Sequence, residues 1–249
     1  MIEEKFAWGS SFIHRLDPCV RIMSALVLSI PAALCDNIDI AGFYLCLALV
    51  LTAMARLEPS DVFQRLKPVF LFLVMIWILV PLTFKGEILY QYKWIKVSMP
   101  GVIVCTKITL KSFAILLIFT ALIATMPIAT LGNALHKLHV PDKMVFLLLM
   151  SYRYIAVIED EYKRLLRAAK FRGFNPGTNL HSYKTFAYLA GMLFVRASLR
   201  AERVYKAMLC RGFNQKFHTL DVYVPNRLNS VFLTGAVLIS VILVLLENF

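Results

Sequence analysis

The sequence predicts an all-α, polytopic membrane protein with about five transmembrane helices and a cytoplasmic domain of long helices. Three observations lead there. Hydrophobic residues make up 59% of the 249-residue chain and charged residues only 17%, where ordinary soluble domains carry roughly a quarter charged; the mean hydropathy is +0.70. The apolar residues are gathered into uncharged blocks separated by short polar stretches. The net charge of +12 is concentrated, with 16 of the 27 Lys and Arg but only 6 of the 15 Asp and Glu in residues 130–228. Basic charge of that density beside apolar spans marks the cytoplasmic side. With the remainder embedded in a bilayer, it implies contact with membrane lipid and not with nucleic acid.

Residues 1–129 read as four transmembrane helices with a cytoplasmic N-terminus. Met1 to Arg21 is a polar lead-in, and its Met1 to Leu16 part is mixed in charge where a cleavable signal needs an apolar core. It contains Leu16-Asp17-Pro18, where the aspartate can cap a helix that the proline starts. Ile22 to Leu34 is uncharged but shorter than the roughly 20 residues of a span, so it must borrow flanking residues. The acidic loop Cys35-Asp36-Asn37-Ile38-Asp39 suits the outer side of a tight helical hairpin, and Ile40 to Ala55 returns to Arg56, Arg65 and Lys67. Val69 to Phe84 crosses outward to a loop with Tyr90, Tyr92 and Trp94, aromatics of the interface belt, among Lys85, Lys93 and Lys96. Ser112 to Ala129 crosses back, with Lys107 and Lys111 at its outer end and able to snorkel. Residues 130–228 form the cytoplasmic domain. Residues 229–249 form the last transmembrane helix, built on the uncharged run Asn229 to Leu246. Inside the domain, Met144 to Met150 and Phe186 to Val195 are too short to span and read as buried against other helices; extra spans are the alternative.

The function-bearing stretch is Met150 to Asn214. Apolar residues recur at Ile155, Ile158, Tyr162, Leu165 and Ala169, opposite the acid-first pairs Glu159 with Lys163 and Asp160 with Arg164. A second amphipathic run carries Ala190, Phe194, Ala197, Ala201, Val204 and Met208, with Glu202 pairing Lys206. The heptad spacing predicts that the two helices pack on each other or on a common partner. Both end alike: Arg172-Gly173-Phe174-Asn175 recurs as Arg211-Gly212-Phe213-Asn214, with Ala168 and Ala207 four places ahead of the arginines. A basic residue before a capping glycine is ordinary helix-stop chemistry. Two guanidinium forks at two cytoplasmic helix tips are also suited to carboxylates and carbonyls in grooves of another protein.

These residues resemble a known family. Leu16-Asp17-Pro18, Lys170-Phe171-Arg172-Gly173-Phe174 and the run Ala187 to Phe213 are similar to the transmembrane T component of energy-coupling factor (ECF) transporters, of the cobalt-transport CbiQ type. The likeness covers nearly the whole chain in layout and is specific in its second half. It departs at one motif position, where the family's Ala-Arg-Gly is Phe171-Arg172-Gly173 and Cys210-Arg211-Gly212. The resemblance implies a non-catalytic subunit without cofactor or metal, lodged in the cell membrane with both Arg-Gly motifs in the cytoplasm. Phe171, Arg172, Gly173, Cys210, Arg211 and Gly212 would dock two CbiO-like ATPase subunits, supported by Ala168, Ala207, Glu202 and Arg203. The long coupling helices would pass ATP-driven motion to a CbiM-like substrate-binding membrane subunit, with a small CbiN-like subunit beside it. The expected cargo is Co2+; nickel or a vitamin is the alternative, since substrate choice belongs to the partner.

Other features point less far. The five cysteines are scattered, with no Cys-x-x-Cys pair to indicate a disulfide framework or a zinc site. His136 and His139 are three apart and could share a face, whereas His14, His181 and His218 are isolated. A membrane-embedded metal-dependent enzyme would use those two histidines with nearby acids, yet the spans are almost free of the ionisable residues it needs. Glu159-Asp160-Glu161 reads as a solvated, salt-bridged face. No Gly-x-x-x-x-Gly-Lys-Ser/Thr loop is present for a nucleotide, and the ten methionines read as packing.

Overall fold

The structure, a computed structural model, describes residues 9, 11–83, 88–92, 95–214 and 227–248. Its helices are α1 (Pro18–Leu34), α2 (Ile38–Met54), α3 (Pro59–Thr83), α4 (Met99–Leu122), α5 (Ile128–Lys137), α6 (Asp142–Phe171), α7 (Leu180–Cys210) and α8 (Arg227–Asn248). Between α3 and α4 stand two short antiparallel strands, β1 (Ile88–Tyr92) and β2 (Ile95–Ser98). They are the exception to the all-helical expectation and occupy the loop assigned to the interface belt. Lys85, Lys93 and Trp94 of that loop, and His218, lie outside the described residues. The chain divides into two units, one of Glu4–Ala134 with Val222–Phe249, the other of Met1–Glu3 with Leu135–Asp221.

In the first unit α3, α4 and α8 are long and apolar enough to cross a membrane, while α1 and α2 are apolar but only 17 residues each. Helix α3 starts ten residues before the predicted block and carries Arg65, Lys67 and Pro68 in its first turns. Helix α4 departs more. Ser98 accepts a hydrogen bond on Oγ from Gly101 N (3.2 Å) and Pro100 sits in the first turn, so the helix begins at Met99, well before Ser112. It stops at Leu122, and the expected span Ser112 to Ala129 is broken ahead of Pro127. Lys107 and Lys111 therefore lie within α4. Lys111 Nζ reaches the Ala33 carbonyl (3.1 Å) and Asp36 (3.8 Å), which sets the α1–α2 turn level with the middle of α4.

Small residues allow the close packing of α1, α2 and α4. Ala25, Ala48, Ala114 and Ala121 are fully buried, interleaved with Leu28, Leu51, Leu117 and Ile118. Lipid tails are as apolar as a leucine, so contact in a bilayer gains from close van der Waals fit, which small side chains permit. Hydroxyls within α4 are satisfied locally: Thr106, Thr109 and Thr120 donate to the carbonyls of Val102, Cys105 and Leu116.

Leu16-Asp17-Pro18 has a structural role here. Asp17 Oδ1 accepts from Cys19 N (3.0 Å) and caps α1, while Asp17 N donates to Asn229 Oδ1 (3.2 Å) and ties the start of α1 to α8. Ser240 Oγ donates to the Val27 carbonyl (3.1 Å) further along the same pair. Arg21, buried at 2% exposure, donates to the carbonyls of Leu16 and His14 and fixes the short 3-10 turn Ile13–Arg15 against α1. Overfilling the alanine seam should be costly: Ala48→Leu is expected to destabilise the purified protein by about 1–3 kcal/mol. Val50→Leu, on an exposed face of the same helix, should leave the thermal unfolding midpoint in detergent unchanged.

Candidate functional site

The two repeated tetrapeptides are built alike. Gly173 (φ +83°) and Gly212 (φ +76°) are left-handed, and no atom lies within 4 Å of where a Cβ would stand, so the requirement on them is backbone conformation and not space. Gly173 N donates to Lys170 O (2.9 Å) and Phe174 N to Ala169 O (3.1 Å). Gly212 N donates to Leu209 O (3.0 Å) and Phe213 N to Met208 O (3.1 Å). This is the paired bonding of a Schellman stop, which satisfies the last carbonyls of each helix. Arg172 and Arg211 are left at the C-cap, one residue past the last helical position.

Each cap is pinned by its phenylalanine to the other helix. Phe174 is buried and meets Phe186 of α7 edge-on, with ring centroids 5.5 Å apart. Phe213 meets Phe146 near the start of α6 at 5.4 Å. The helices thus run antiparallel, with the Arg172 tip at one end of the pair and the Arg211 tip at the other. Arg172 is 26 residues from Phe146, which at ~1.5 Å per residue separates the tips by roughly 40 Å.

The remaining candidates lie close to these tips. Phe171, 91% exposed, and the exposed Cys210 occupy the motif position where the family has alanine. Ala168 and Ala207 are exposed one turn back. Glu202 pairs with Lys206 (2.7 Å), and Arg203 Nε donates to the Leu199 carbonyl (3.3 Å), both on the exposed surface of α7. The guanidinium groups of Arg172 and Arg211 have no hydrogen-bond or ion-pair partner among the described residues. They are therefore available for contacts beyond the described residues.

Other expectations hold in part. Glu159 and Lys163 pair at 2.5 Å, which lowers the pKa of the carboxyl and raises that of the amine. Asp160 and Arg164 form no such pair. Glu161, read with its neighbours as solvated, instead crosses to α7, where Oε1 accepts from Arg196 (2.5 Å) and Oε2 lies 3.8 Å from Arg200. The Arg196 bond holds its carboxyl below the usual carboxylate range. Nothing in the spacing of α6 singles out Glu161; the available signal is on α7, where two arginines stand four residues apart on one face. The cleft between the two helices is lined by Ala197, Ala201, Val204 and Met208 of the run predicted on α7, but on α6 by Ile158 alone of the predicted stripe, since Ile155 and Tyr162 are exposed. The runs Met144 to Met150 and Phe186 to Val195 are covered only in part: Val145 is buried and Phe146 and Phe186 pack on aromatic rings, while Met144, Leu147, Tyr188 and Phe194 are exposed. His136 pairs with Asp142 (2.8 Å), a carboxylate that sequence spacing had not connected to it. Among the described residues no three His, Cys, Asp or Glu converge.

Comparison with known proteins adds a family to this geometry. Residues 9–221 match the model of the family described as CbiQ, cobalt transport protein. The chain is 28% identical over 224 residues to the energy-coupling factor transporter transmembrane protein EcfT of Bacillus subtilis, covering 86% of this chain and 84% of that one. It is 29% identical to the protein of the same name from Leuconostoc gelidum, covering 84% and 82%, and 27% identical to that of Macrococcus caseolyticus, covering 100% and 98%. The match takes in the buried Leu16-Asp17-Pro18 turn and both capped arginines, and it places this chain in the CbiQ family of cobalt transport proteins.

Proposed function

We propose that this chain is the non-catalytic transmembrane coupling subunit of an ECF-type importer, and that Arg172 and Arg211 each dock one cytoplasmic ATPase subunit. The observation that carries the docking assignment is the pair of identical caps presenting unpartnered guanidinium groups roughly 40 Å apart. One small groove cannot engage both at that separation; two copies of one partner can. Exposed Ala168 and Ala207 leave room for a groove wall to close over each tip. Each fork can bind a carboxylate or two carbonyls in planar geometry. The relatives named as energy-coupling factor transmembrane proteins support the coupling role, and the apolar helices α3, α4 and α8 support a place in the membrane.

The concentration of basic residues in 130–228 supports placing both motifs in the cytoplasm. Co2+ is the proposed cargo of the assembled importer, supported by the description of the matching family. A substrate-binding membrane subunit of the CbiM kind would recognise it, with a small CbiN-like subunit beside it. Nickel or a vitamin is the competing cargo.

Arg172→Glu combined with Arg211→Glu should leave membrane insertion intact and abolish co-purification of the ATPases and uptake of radioactive Co2+. Retention of the ATPases would overturn the docking role. Uptake of nickel or a vitamin by the intact complex, with Co2+ ignored, would overturn the cargo. Cap geometry offers a second check: Gly173→Val with Gly212→Val should weaken ATPase recovery at least tenfold although both arginines remain. Asparagine at both positions, which tolerates φ > 0, should preserve it. The orientation is checked by Cys210, exposed beside Arg211: with Cys19 and Cys46 changed to serine, a membrane-impermeant maleimide should label it only after the cells are opened.

A further inference from the structure

The α6 and α7 tips repeat the same arginine and glycine but differ in the side chain ahead of the arginine. Phe171 is the last helical residue of α6 and is 91% exposed, more than any other large apolar side chain among the described residues. Further along the same tip, Phe174 is 7% exposed and seated on Phe186. One ring is thus held inside while the other stays outside, with no ring contact to Phe171 among the described residues. At the α7 tip the matching position is Cys210, exposed and small, and the exposed apolar side chain nearest the arginine is Leu209, 49% exposed. Leu209 stands one residue further back than Phe171 does, about 100° around the helix, where α6 carries Lys170. The two guanidinium forks are therefore flanked by different apolar surfaces. Folding does not explain Phe171: a ring that remains in water in the folded chain gains almost nothing from burial, and phenylalanine is a poorer helix former than alanine.

We propose that Phe171 is the anchor of the α6 tip, filling an apolar pocket beside the groove of the ATPase subunit that receives Arg172, so that the α6 tip holds its ATPase subunit more tightly than the α7 tip holds the other. The proposal rests on the reading of Arg172 and Arg211 as docking points. Ring and fork belong to consecutive residues at a helix end, and the left-handed Gly173 turns the chain away directly after them with nothing within 4 Å of its Cβ position, so the rim is open to one concave surface. Arginine and large aromatic side chains are the residues that carry most of the binding energy at protein interfaces once water is excluded from them. Covering the ring also dries the guanidinium beside it, and a charge-assisted hydrogen bond is stronger where the local dielectric is low. A second copy of the same ATPase subunit offers the same pocket to the α7 tip, where Cys210 leaves it unfilled and Leu209 lies too far around the helix to take its place. Two copies of one partner are thereby held unequally.

The test is titration of the ATPase subunits, isolated from the native complex, onto the full chain purified in detergent. Phe171→Ala should weaken binding by about tenfold or more with the thermal unfolding midpoint unchanged, since the ring is exposed in the free chain. Cys210→Ala should change neither quantity. With one tip disabled at a time, Arg211→Glu should retain binding about tenfold tighter than Arg172→Glu. Adding Phe171→Ala to Arg211→Glu should remove that advantage, and adding Cys210→Phe to Arg172→Glu should restore it. Wild-type affinity in Phe171→Ala, or equal affinities in the two single-tip variants, would overturn the anchor. The docking reading fails on a different result, retention of the ATPases when both arginines are reversed, so the two can fall separately.

Discussion

The last carbonyls of α6 and α7 need hydrogen-bond donors, and the chain supplies them by turning left-handed at Gly173 and Gly212. That backbone constraint governs everything around the two arginines. Once the glycine has reversed the chain, the next residue donates back to the carbonyl five residues earlier and the helix cannot continue. The arginine before the glycine is left at the rim, where the negative end of the helix dipole favours its charge. A residue with a Cβ at either position would meet no atom, yet it would still bear the left-handed cost of about 1–2 kcal/mol. The position of the two arginines is therefore set by peptide stereochemistry, with side-chain packing in a secondary role.

The phenylalanines extend that local constraint over the whole unit. Phe174 on Phe186 and Phe213 on Phe146 fasten each cap to the opposite helix, so two local stops become the two ends of one antiparallel pair. Between those ends, Glu161 is the ionic contact across the seam for which the pairing is closest. Position along the pair then follows from helix geometry alone, and the wide separation of the arginines results from two helices of about thirty residues each fastened end to end.

Legibility in the sequence follows the range of the interaction. The Arg-Gly caps were readable because a capping glycine acts over five residues of one helix, and Asp17 as a cap for the same reason. The membrane character was readable because it sums over composition. Less legible were features set between elements. The start of α4 depends on Ser98 as a cap, but hydropathy favoured the uncharged run after Lys111 and missed the turns in which Lys107 and Lys111 are tolerated. Glu161 looked like its neighbours because its partners are thirty-five and thirty-nine residues away. The exposed apolar faces of Met144 and Phe194 were misread for a related reason: amphipathicity shows that a face seeks cover, and cannot show whether the cover comes from the same chain.

That last point bears on the division of labour in the proposed importer. An isolated soluble domain rarely exposes so many large apolar side chains as α6 and α7 do at Met144, Leu147, Phe171, Tyr188 and Phe194. Covering such faces and pairing two idle guanidinium groups are interactions available only in an assembly, and whatever binds the folded chain preferentially stabilises it by mass action. In the first unit α1, α2 and α4 close on the alanine seam and the Asp17–Asn229 tie joins α1 to α8, while α3 and α8 keep open apolar faces of the kind a bilayer covers. One chain thus joins a unit whose open apolar faces suit lipid to a unit whose open faces and free arginines suit partners. In the proposed importer that contrast assigns the anchoring to the first unit and the contacts with partners to the second.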